Sequence, residues 1–251
     1  MNALSLFANV GIAETYLQDI GIDVVVANEL DEQRAKFYSH LYPQCDMVQG
    51  DITSQETFEK VIRKAREAHV ELIMATPPCQ GMSIAGHNSP YDERNSLIKY
   101  AIDAVIALNP RFVFFENVTQ QLVTPIVCNG EEMLIPEYIH RRLGNLYRFN
   151  NNQITNAMNY SVPQRRERCI FLLTRIDEDF TWNFPEPSRI INLEEAFRGI
   201  PDLWPNIRER AYQGLLPANT EEALTFHKWH RPPTHVWRNI ECMLHTPTGN
   251  T

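Results

Sequence analysis

The chain has 251 residues, 43% of them apolar, and a net charge of −8, enough apolar material for one main core and a small appendage. No apolar run approaches the roughly 18 residues that a membrane-spanning helix needs, which excludes a helical membrane protein. Five cysteines form no Cys-x-x-Cys pair and the first stretch lacks the basic region of a signal peptide, so the expected home is the reducing cytoplasm. The acidic balance counts against a nucleic-acid partner only if charge is evenly spread. It is not, because Arg141, Arg142, Arg165, Arg166, Arg168, Lys228, Arg231 and Arg238 all fall in the later part of the chain.

Taken in order, residues 3–8 read as a strand, 11–20 as a helix, 24–28 as a strand and 32–41 as a helix. A third strand is expected near Met47-Val48. The alternation continues with a helix over 54–68, a strand over 71–75, a helix over 96–108 and a strand over 112–115. This βαβ rhythm predicts an α/β fold with a doubly wound, mostly parallel sheet. Right-handed crossovers place the carboxyl ends of the parallel strands on one edge. Ligands of such sheets bind in the crevice outside those ends.

The stretch Thr76-Pro77-Pro78-Cys79-Gln80-Gly81 stands at such an end. Two prolines hold φ near about −65° and remove two backbone donors, so the turn is stiff and aims the cysteine that follows. A lone cysteine is a nucleophile, a ligand or an inert apolar residue. No second Cys or His stands at ligand spacing near Cys79, which argues against zinc. The polar stretch from Gln80 to Asn95 reads as a loop that leaves the thiol accessible.

The other strand ends carry acids. Phe7-Ala8-Asn9-Val10-Gly11 forms the first strand-to-helix turn, without the full Gly-x-Gly-x-x-Gly of a dinucleotide site. Glu29, followed by Leu30, ends the second strand, where a carboxylate can take both hydroxyls of a ribose. After the third, Asp51 of Gly50-Asp51-Ile52 can pair with an adenine amino group while Ile52 covers a ring face. Each acid alone also fits a solvated turn or a helix cap. Together they favour a nucleoside pocket, and the missing phosphate glycines point to an uncharged or cationic tail such as that of S-adenosylmethionine.

Phe112-Val113-Phe114-Phe115 delivers Glu116-Asn117-Val118 to a further strand end. A carboxylate in apolar surroundings there can carry a proton near neutrality, or simply cap the next helix. Residues 154–174 read as a polar turn and then a strand, on which Arg166 and Arg168 face one side and Arg165 and Glu167 the other.

These residues resemble the DNA cytosine-5 methyltransferases. Residues 4–11, Glu29, Gly50-Asp51-Ile52, Pro77-Pro78-Cys79-Gln80-Gly81-Met82-Ser83, Asn95-Ser96-Leu97, Glu116-Asn117-Val118 and Gln164-Arg165-Arg166-Glu167-Arg168 occur in that family's order and spacing, over about residues 3 to 175. The resemblance implies a Rossmann-like, S-adenosylmethionine-dependent methyltransferase fold. It implies that Cys79 adds to carbon 6 of a flipped-out cytosine, that Glu116 bonds ring nitrogen 3 and the amino group, and that Asn117 holds the loop and base. Arg168, with Arg166, would address the carbonyl oxygen. Phe7, Ala8, Asn9, Gly11, Glu29, Leu30, Asp51, Ile52, Pro78 and Leu97 would form the cofactor pocket. Gln80, Ser83 and Arg165 would meet double-stranded DNA, and no metal is expected.

The chain departs from the family in two ways. Asn9 and Ile12 stand where small residues are common in the first turn. After Thr174, where single-chain members continue into a target-recognition domain and a late segment packing beside the first turn, neither is found. The expected organisation is a catalytic and cofactor-binding domain over 1–180, then an exit helix within 189–204 and the start of a recognition region to 251. A second subunit, or a missing carboxyl segment, would supply the rest of a restriction-modification methyltransferase. His227, His230, His235 and Cys242 match no zinc spacing, whereas Trp229, Arg231, Trp237 and Arg238 fit a basic aromatic surface or the packing of the chain's end. Rival readings are a transfer-RNA cytosine methyltransferase, a non-catalytic subunit that binds DNA or a partner, and an NAD-dependent oxidoreductase.

Overall fold

The computed structural model describes residues 1–79, 93–216, 221–228 and 230–246. Gln80, Ser83, Trp229 and most of the loop before Asn95 lie outside the described residues. The chain divides into two compact units, Met1–Ile190 and Ile191–Thr251.

The first unit opens with β1 (Asn2–Leu6), β2 (Asp23–Glu29), α1 (Glu32–Leu41), β3 (Asp46–Gln49), α2 (Gln55–Glu67) and β4 (Leu72–Ala75). It continues with α3 (Leu97–Leu108), β5 (Phe112–Asn117), a hairpin of β6 (Pro125–Cys128) and β7 (Glu131–Leu134), and α4 (Ile135–Leu143). Short strands β8 (Tyr147–Phe149) and β9 (Ile154–Asn156) precede the long β10 (Glu167–Arg175). The sheet order is β3-β2-β1-β4-β5-β10-β8, with β9 also on β10. The first five strands are mutually parallel, and β10 runs antiparallel to β5, β8 and β9. This is the doubly wound, Rossmann-like sheet expected from the alternation.

Why the strands are apolar on both faces follows from what covers them. Leu4, Leu6, Val26, Ile73, Val113 and Phe115 bury one face against Val61, Ile98, Ile102 and Ile139 of α2, α3 and α4. On the other face Ala27 packs with Tyr38 of α1 and with Cys45. Further along, Ala3, Leu72, Met74 and Phe112 pack with Leu17, Ile22 and Trp182. Trp182 meets Phe112 edge-on at 6.1 Å, its backbone N–H donates to Thr174 Oγ1, and Ser188 N–H donates to Asn159 O. Residues 181–190 are thereby fastened to the first unit.

One expected element does not form. The pattern over residues 11–20 predicts a helix, yet they run as turns that close in a single 3-10 turn, Gln18–Ile20. The helical pattern is present in Ile12, Tyr16 and Ile20, but these are 78%, 76% and 71% exposed. A short helix draws most of its stability from burying its apolar stripe, and among the described residues of this unit nothing covers this one. β1 also ends at Leu6 rather than residue 8, because Phe7 turns into the left-handed region at φ 59°. At β5 the strand runs on through Glu116 and Asn117.

The second unit is sparse. It holds α5 (Leu193–Phe197), β11 (Asn206–Ile207), α6 (Glu221–Phe226), β12 (Thr234–His235) and α7 (Trp237–Leu244), with β11 parallel to β12. The exit helix expected within 189–204 is thus only five residues long, capped by Asn192 and stopped before Gly199, at φ 85°. Trp237 stacks on Tyr212 at 5.4 Å, and Arg231 Nε donates to Lys228 O. No helix of the described residues is long and apolar enough to cross a membrane.

Candidate active site at the carboxyl edge of the sheet

Cys79 sits four residues past the end of β4, half-buried and unpaired. Its turn is fixed from both neighbouring strands. Thr76 Oγ1 donates to Phe7 O at 3.2 Å on the β1 side. On the β5 side, Asn117 Nδ2 donates to Pro77 O at 3.0 Å while Asn117 Oδ1 accepts from Val118 N–H at 2.8 Å. Asn117 is only 2% exposed. The strand that carries Glu116 is therefore bonded directly to the turn that carries Cys79.

Arg168 reaches Glu116 from the next strand. Antiparallel β10 brings its amino end to the carboxyl end of β5, and Ile170 is paired with Glu116. Arg168 Nε then meets Glu116 Oε1 at 2.9 Å. Glu116, Arg166 and Arg168 line a cleft of about 410 Å³ with an apolar floor of Phe114, Ile170, Leu172 and Trp182. Arg165 and Arg166 stand just before β10; Arg165 meets Glu167 at 3.9 Å and does not line the cleft. Cys169, on β10 beside them, is buried and its thiol is pushed up to about 12 by burial first and the Glu116 charge second. It is a core residue and not a nucleophile.

A second cleft, of about 790 Å³, runs over the carboxyl ends of β1 to β4. Of the ten residues expected in a cofactor pocket, Phe7, Asn9, Glu29, Leu30, Asp51, Ile52, Pro78 and Leu97 line it together with Cys79. Ala8 and Gly11 do not. Ala8 is buried under the sheet with Tyr38 and Cys45. Gly11 is pressed against α1: a Cβ there would lie 2.2 Å from Tyr42 Cε2, and φ is 80°. Its role is close packing in a left-handed turn. Asn9, at φ 52°, holds another left-handed position, which asparagine tolerates better than other side chains; this explains how it can stand where a small residue is common.

The cleft fits a nucleoside. Glu29 is 7% exposed, and its two carboxylate oxygens accept one backbone N–H each, from Asn9 at 2.8 Å and Asp31 at 2.9 Å. Each oxygen keeps a free lone pair, so two hydroxyls can still be taken. Asp51 uses one oxygen for Thr53 N and Oγ1 and leaves the other open. Ile52, Phe7 and Leu97 offer apolar surface for a ring, and Asn28 braces the floor by donating to Val48 O and Gly50 O.

Sequence reasoning missed Asn28, Arg34 and Gln49 in this cleft, and Thr155, Tyr160, Trp182 and Phe184 in the other. Asn28 and Gln49 adjoin motifs already singled out, so adjacency to a strand end was the available signal, whereas Arg34 lies inside α1 and has none. Trp182 and Phe184 lie in an irregular segment without periodicity, and no local pattern marks them.

Residues 1–240 match the family model described as C-5 cytosine-specific DNA methylase. Type II methyltransferase M1.HgaI of Avibacterium volantium is 36% identical over 99% of this chain and 66% of its own length. Type II methyltransferase M.XorII of Xanthomonas oryzae pv. oryzae is 27% identical over 82% of this chain and 48% of its own. The likeness therefore reaches well past residue 175, and the chain spans about half to two thirds of the length of these relatives. Among solved structures, a prophage-encoded E. coli protein covers 82% of the chain at 24% identity with a TM-score of 0.60, over 57% of its own length. S. pombe Dnmt2 covers 99% at 15% identity with a TM-score of 0.54, over 87% of its own; both show the shared fold. The chain belongs to the C-5 cytosine-specific DNA methylase family.

Proposed function

We propose that this chain is the catalytic part of a DNA cytosine-5 methyltransferase that methylates carbon 5 of a flipped-out cytosine through a covalent Cys79 adduct. The observation that carries the reading is the chain of contacts from Pro77 through Asn117 to Glu116 and Arg168. It joins a thiol, a carboxylate and a guanidinium on three neighbouring strand ends, beside a cleft fitted to a nucleoside.

The chemistry follows from what each group offers. Carbon 5 of cytosine is a poor nucleophile, so the ring must first be made electron-rich. Cys79, as thiolate, forms a bond to carbon 6, and the electrons of the carbon 5–carbon 6 double bond move toward carbon 5. Glu116 would bond ring nitrogen 3 and the amino group of the base, stabilising charge as the ring is attacked. Arg168 addresses the carbonyl oxygen and Arg166 adds positive charge at the rim. Phe7, Glu29, Asp51, Ile52, Pro78 and Leu97 would hold S-adenosyl-L-methionine, with Glu29 on the ribose hydroxyls and Asp51 on the adenine amino group. When bound, that cofactor supplies an electrophilic methyl group. Transfer of the carbon 5 proton to a water molecule then lets the carbon 6–sulfur bond break, its electrons leaving with the sulfur, which restores the ring double bond and frees Cys79 as thiolate. Stacking blocks the face that the sulfur attacks, so the base must leave the duplex at a cost of a few kcal/mol. Gln80, Ser83 and Arg165 would meet the DNA around the gap.

The name Type II methyltransferase carried by the relatives supports a place in a restriction-modification system. The exposed Ile12, Tyr16 and Ile20 beside the first turn favour a further polypeptide segment, in a second subunit or in the same chain, that covers them and supplies target recognition. The chain by itself should then methylate DNA poorly or not at all. Transfer of labelled methyl groups to duplex DNA and to transfer RNA, by this chain alone and with the product of the adjoining reading frame, tests the reading. DNA labelling that needs both polypeptides and is lost in Cys79→Ser supports it. Labelling of transfer RNA only, or full labelling by Cys79→Ser, overturns it.

A further inference from the structure

We propose that Glu14 is a positioning residue for the cofactor cleft: its buried carboxyl, tied to Ser5 of β1, fixes the turn whose Phe7 and Asn9 wall that cleft. The inference rests on reading that cleft as the cofactor site. The problem it answers is mechanical. Phe7, Asn9 and Gly11 all have left-handed φ values, 59°, 52° and 80°, which side-chain-bearing residues adopt at a cost. No helix follows them to hold the turn in register. Side-chain ties must do so instead.

Three such ties are present. Asn9 N–H donates to Glu29 on β2, and Tyr42 Oη donates to Gly11 O at 2.6 Å from the end of α1. The third is Glu14, whose Oε1 accepts the Ser5 hydroxyl. Glu14 is only 4% exposed and its other oxygen, Oε2, is buried without a hydrogen-bond partner. An ionised carboxylate so placed would be costly. The groups that face it are Ser5 from β1, Tyr38 from α1 and Cys45 from the connection to β3. None is a cation. Burial pushes the Cys45 thiol up to about 12 and raises the Tyr38 hydroxyl as well, so both are uncharged near neutrality. Burial likewise raises the Glu14 carboxyl above its usual range. Glu14 therefore stays protonated to higher pH than an exposed carboxyl would, and it anchors the segment after the turn to the central strand.

The sign of the pH effect follows. The unfolded chain releases the Glu14 proton above about pH 4.5 while the folded chain keeps it, so this group costs stability as pH rises from there toward its raised value. Glutamine imitates the neutral acid: it keeps an acceptor for Ser5 and cannot ionise.

The test compares the full chain with Glu14→Gln and Glu14→Ala. Three measurements are made: amide hydrogen exchange over residues 7–17, calorimetric binding of S-adenosyl-L-homocysteine, and melting temperature from pH 5 to 8. In Glu14→Ala, exchange over 7–17 should quicken about tenfold and affinity should fall about five- to tenfold, as expected for one buried hydrogen bond, with β4 and β5 unchanged. Glu14→Gln should match the parent in both and lose part of the melting slope with pH. Unchanged exchange over 7–17 in Glu14→Ala, or a glutamine variant as damaged as the alanine one, overturns the proposal. If the parent binds no cofactor analogue, the cleft reading is what fails, and hydrogen exchange still decides the role of Glu14. If Glu14→Ala does not fold, the glutamine variant decides: retained exchange protection with a flattened slope supports the proposal, and an unaltered slope overturns it.

Discussion

Replacing Asn117 by alanine should loosen the turn that aims Cys79 without touching any reacting atom. The side chain is almost fully buried and makes two hydrogen bonds, one donated to Pro77 O and one accepted from Val118 N–H. Truncation leaves both backbone groups without their partner, at about 1–3 kcal/mol each when buried. Val118 is only half-buried and water can reach part of the gap, so the total is about 2–4 kcal/mol. For a unit of this size that corresponds to a melting temperature lower by roughly 5–12 °C. Asn117→Asp keeps the acceptor for Val118 but sets an oxygen against the Pro77 carbonyl, so it should be no better. Differential scanning calorimetry gives the stability. The rate at which iodoacetamide alkylates Cys79, followed by peptide mass spectrometry, reports the turn, and should rise as the turn gains freedom. A melting temperature within a degree of the parent, together with an unchanged alkylation rate, would refute the claim that Asn117 holds the two strand ends together.

Further outcomes follow from the same contacts. Glu116→Gln breaks the Arg168 ion pair and removes the carboxyl expected to bond the base, so single-turnover methylation should slow by about 10²–10³ with cofactor affinity unchanged. Glu29→Ala removes the acceptor of two backbone N–H groups and the one proposed for the ribose hydroxyls, so calorimetric affinity for the cofactor should fall by at least about tenfold. Gly11→Ala combines a left-handed φ with a Cβ placed 2.2 Å from the Tyr42 ring, and should lower stability by about 2–5 kcal/mol in denaturant titration.

Much of the fold could be read from the sequence where local and tertiary signals coincide. α1 begins and ends where it was expected, at Glu32 and Leu41, because Asp31 caps it by accepting from Arg34 N–H and its pattern repeats at helical spacing. β4 was legible as a fully apolar run before two prolines. The segment after Gly11 misled for a physical reason: its stripe of Ile12, Tyr16 and Ile20 has helical spacing, but what would bury it is not among the described residues. The β6–β7 hairpin was passed over although Asn129-Gly130, both at positive φ, is a strong two-residue turn signal.

At the site, Cys79, Glu116 and Arg168 stood out by chemistry and spacing. The carboxyl end of β4 is the usual place for a reactive loop, whereas of the three arginines expected on one strand only Arg168 lies on β10, which begins at Glu167. Gly11, expected in the cofactor pocket, does not line the cleft, and Tyr42 closes over it. That distinction depends on which neighbour fills the space above a glycine, and nothing local encodes it. The apolar floor made by Trp182 and Phe114 was hidden for the same reason, since it joins residues far apart in sequence across the sheet.

The central claim, a transient bond between the Cys79 sulfur and carbon 6 of a cytosine, is tested most directly with duplex DNA carrying 5-fluorocytosine. Fluorine cannot leave carbon 5 as a proton does, so the adduct persists once the methyl group has been transferred. The chain, combined with the polypeptide that completes it and with S-adenosyl-L-methionine, should yield a protein–DNA conjugate whose proteolysis maps the modified nucleotide to the peptide containing Cys79. A conjugate on another residue, or methylation of ordinary DNA that proceeds in Cys79→Ser, would contradict the account.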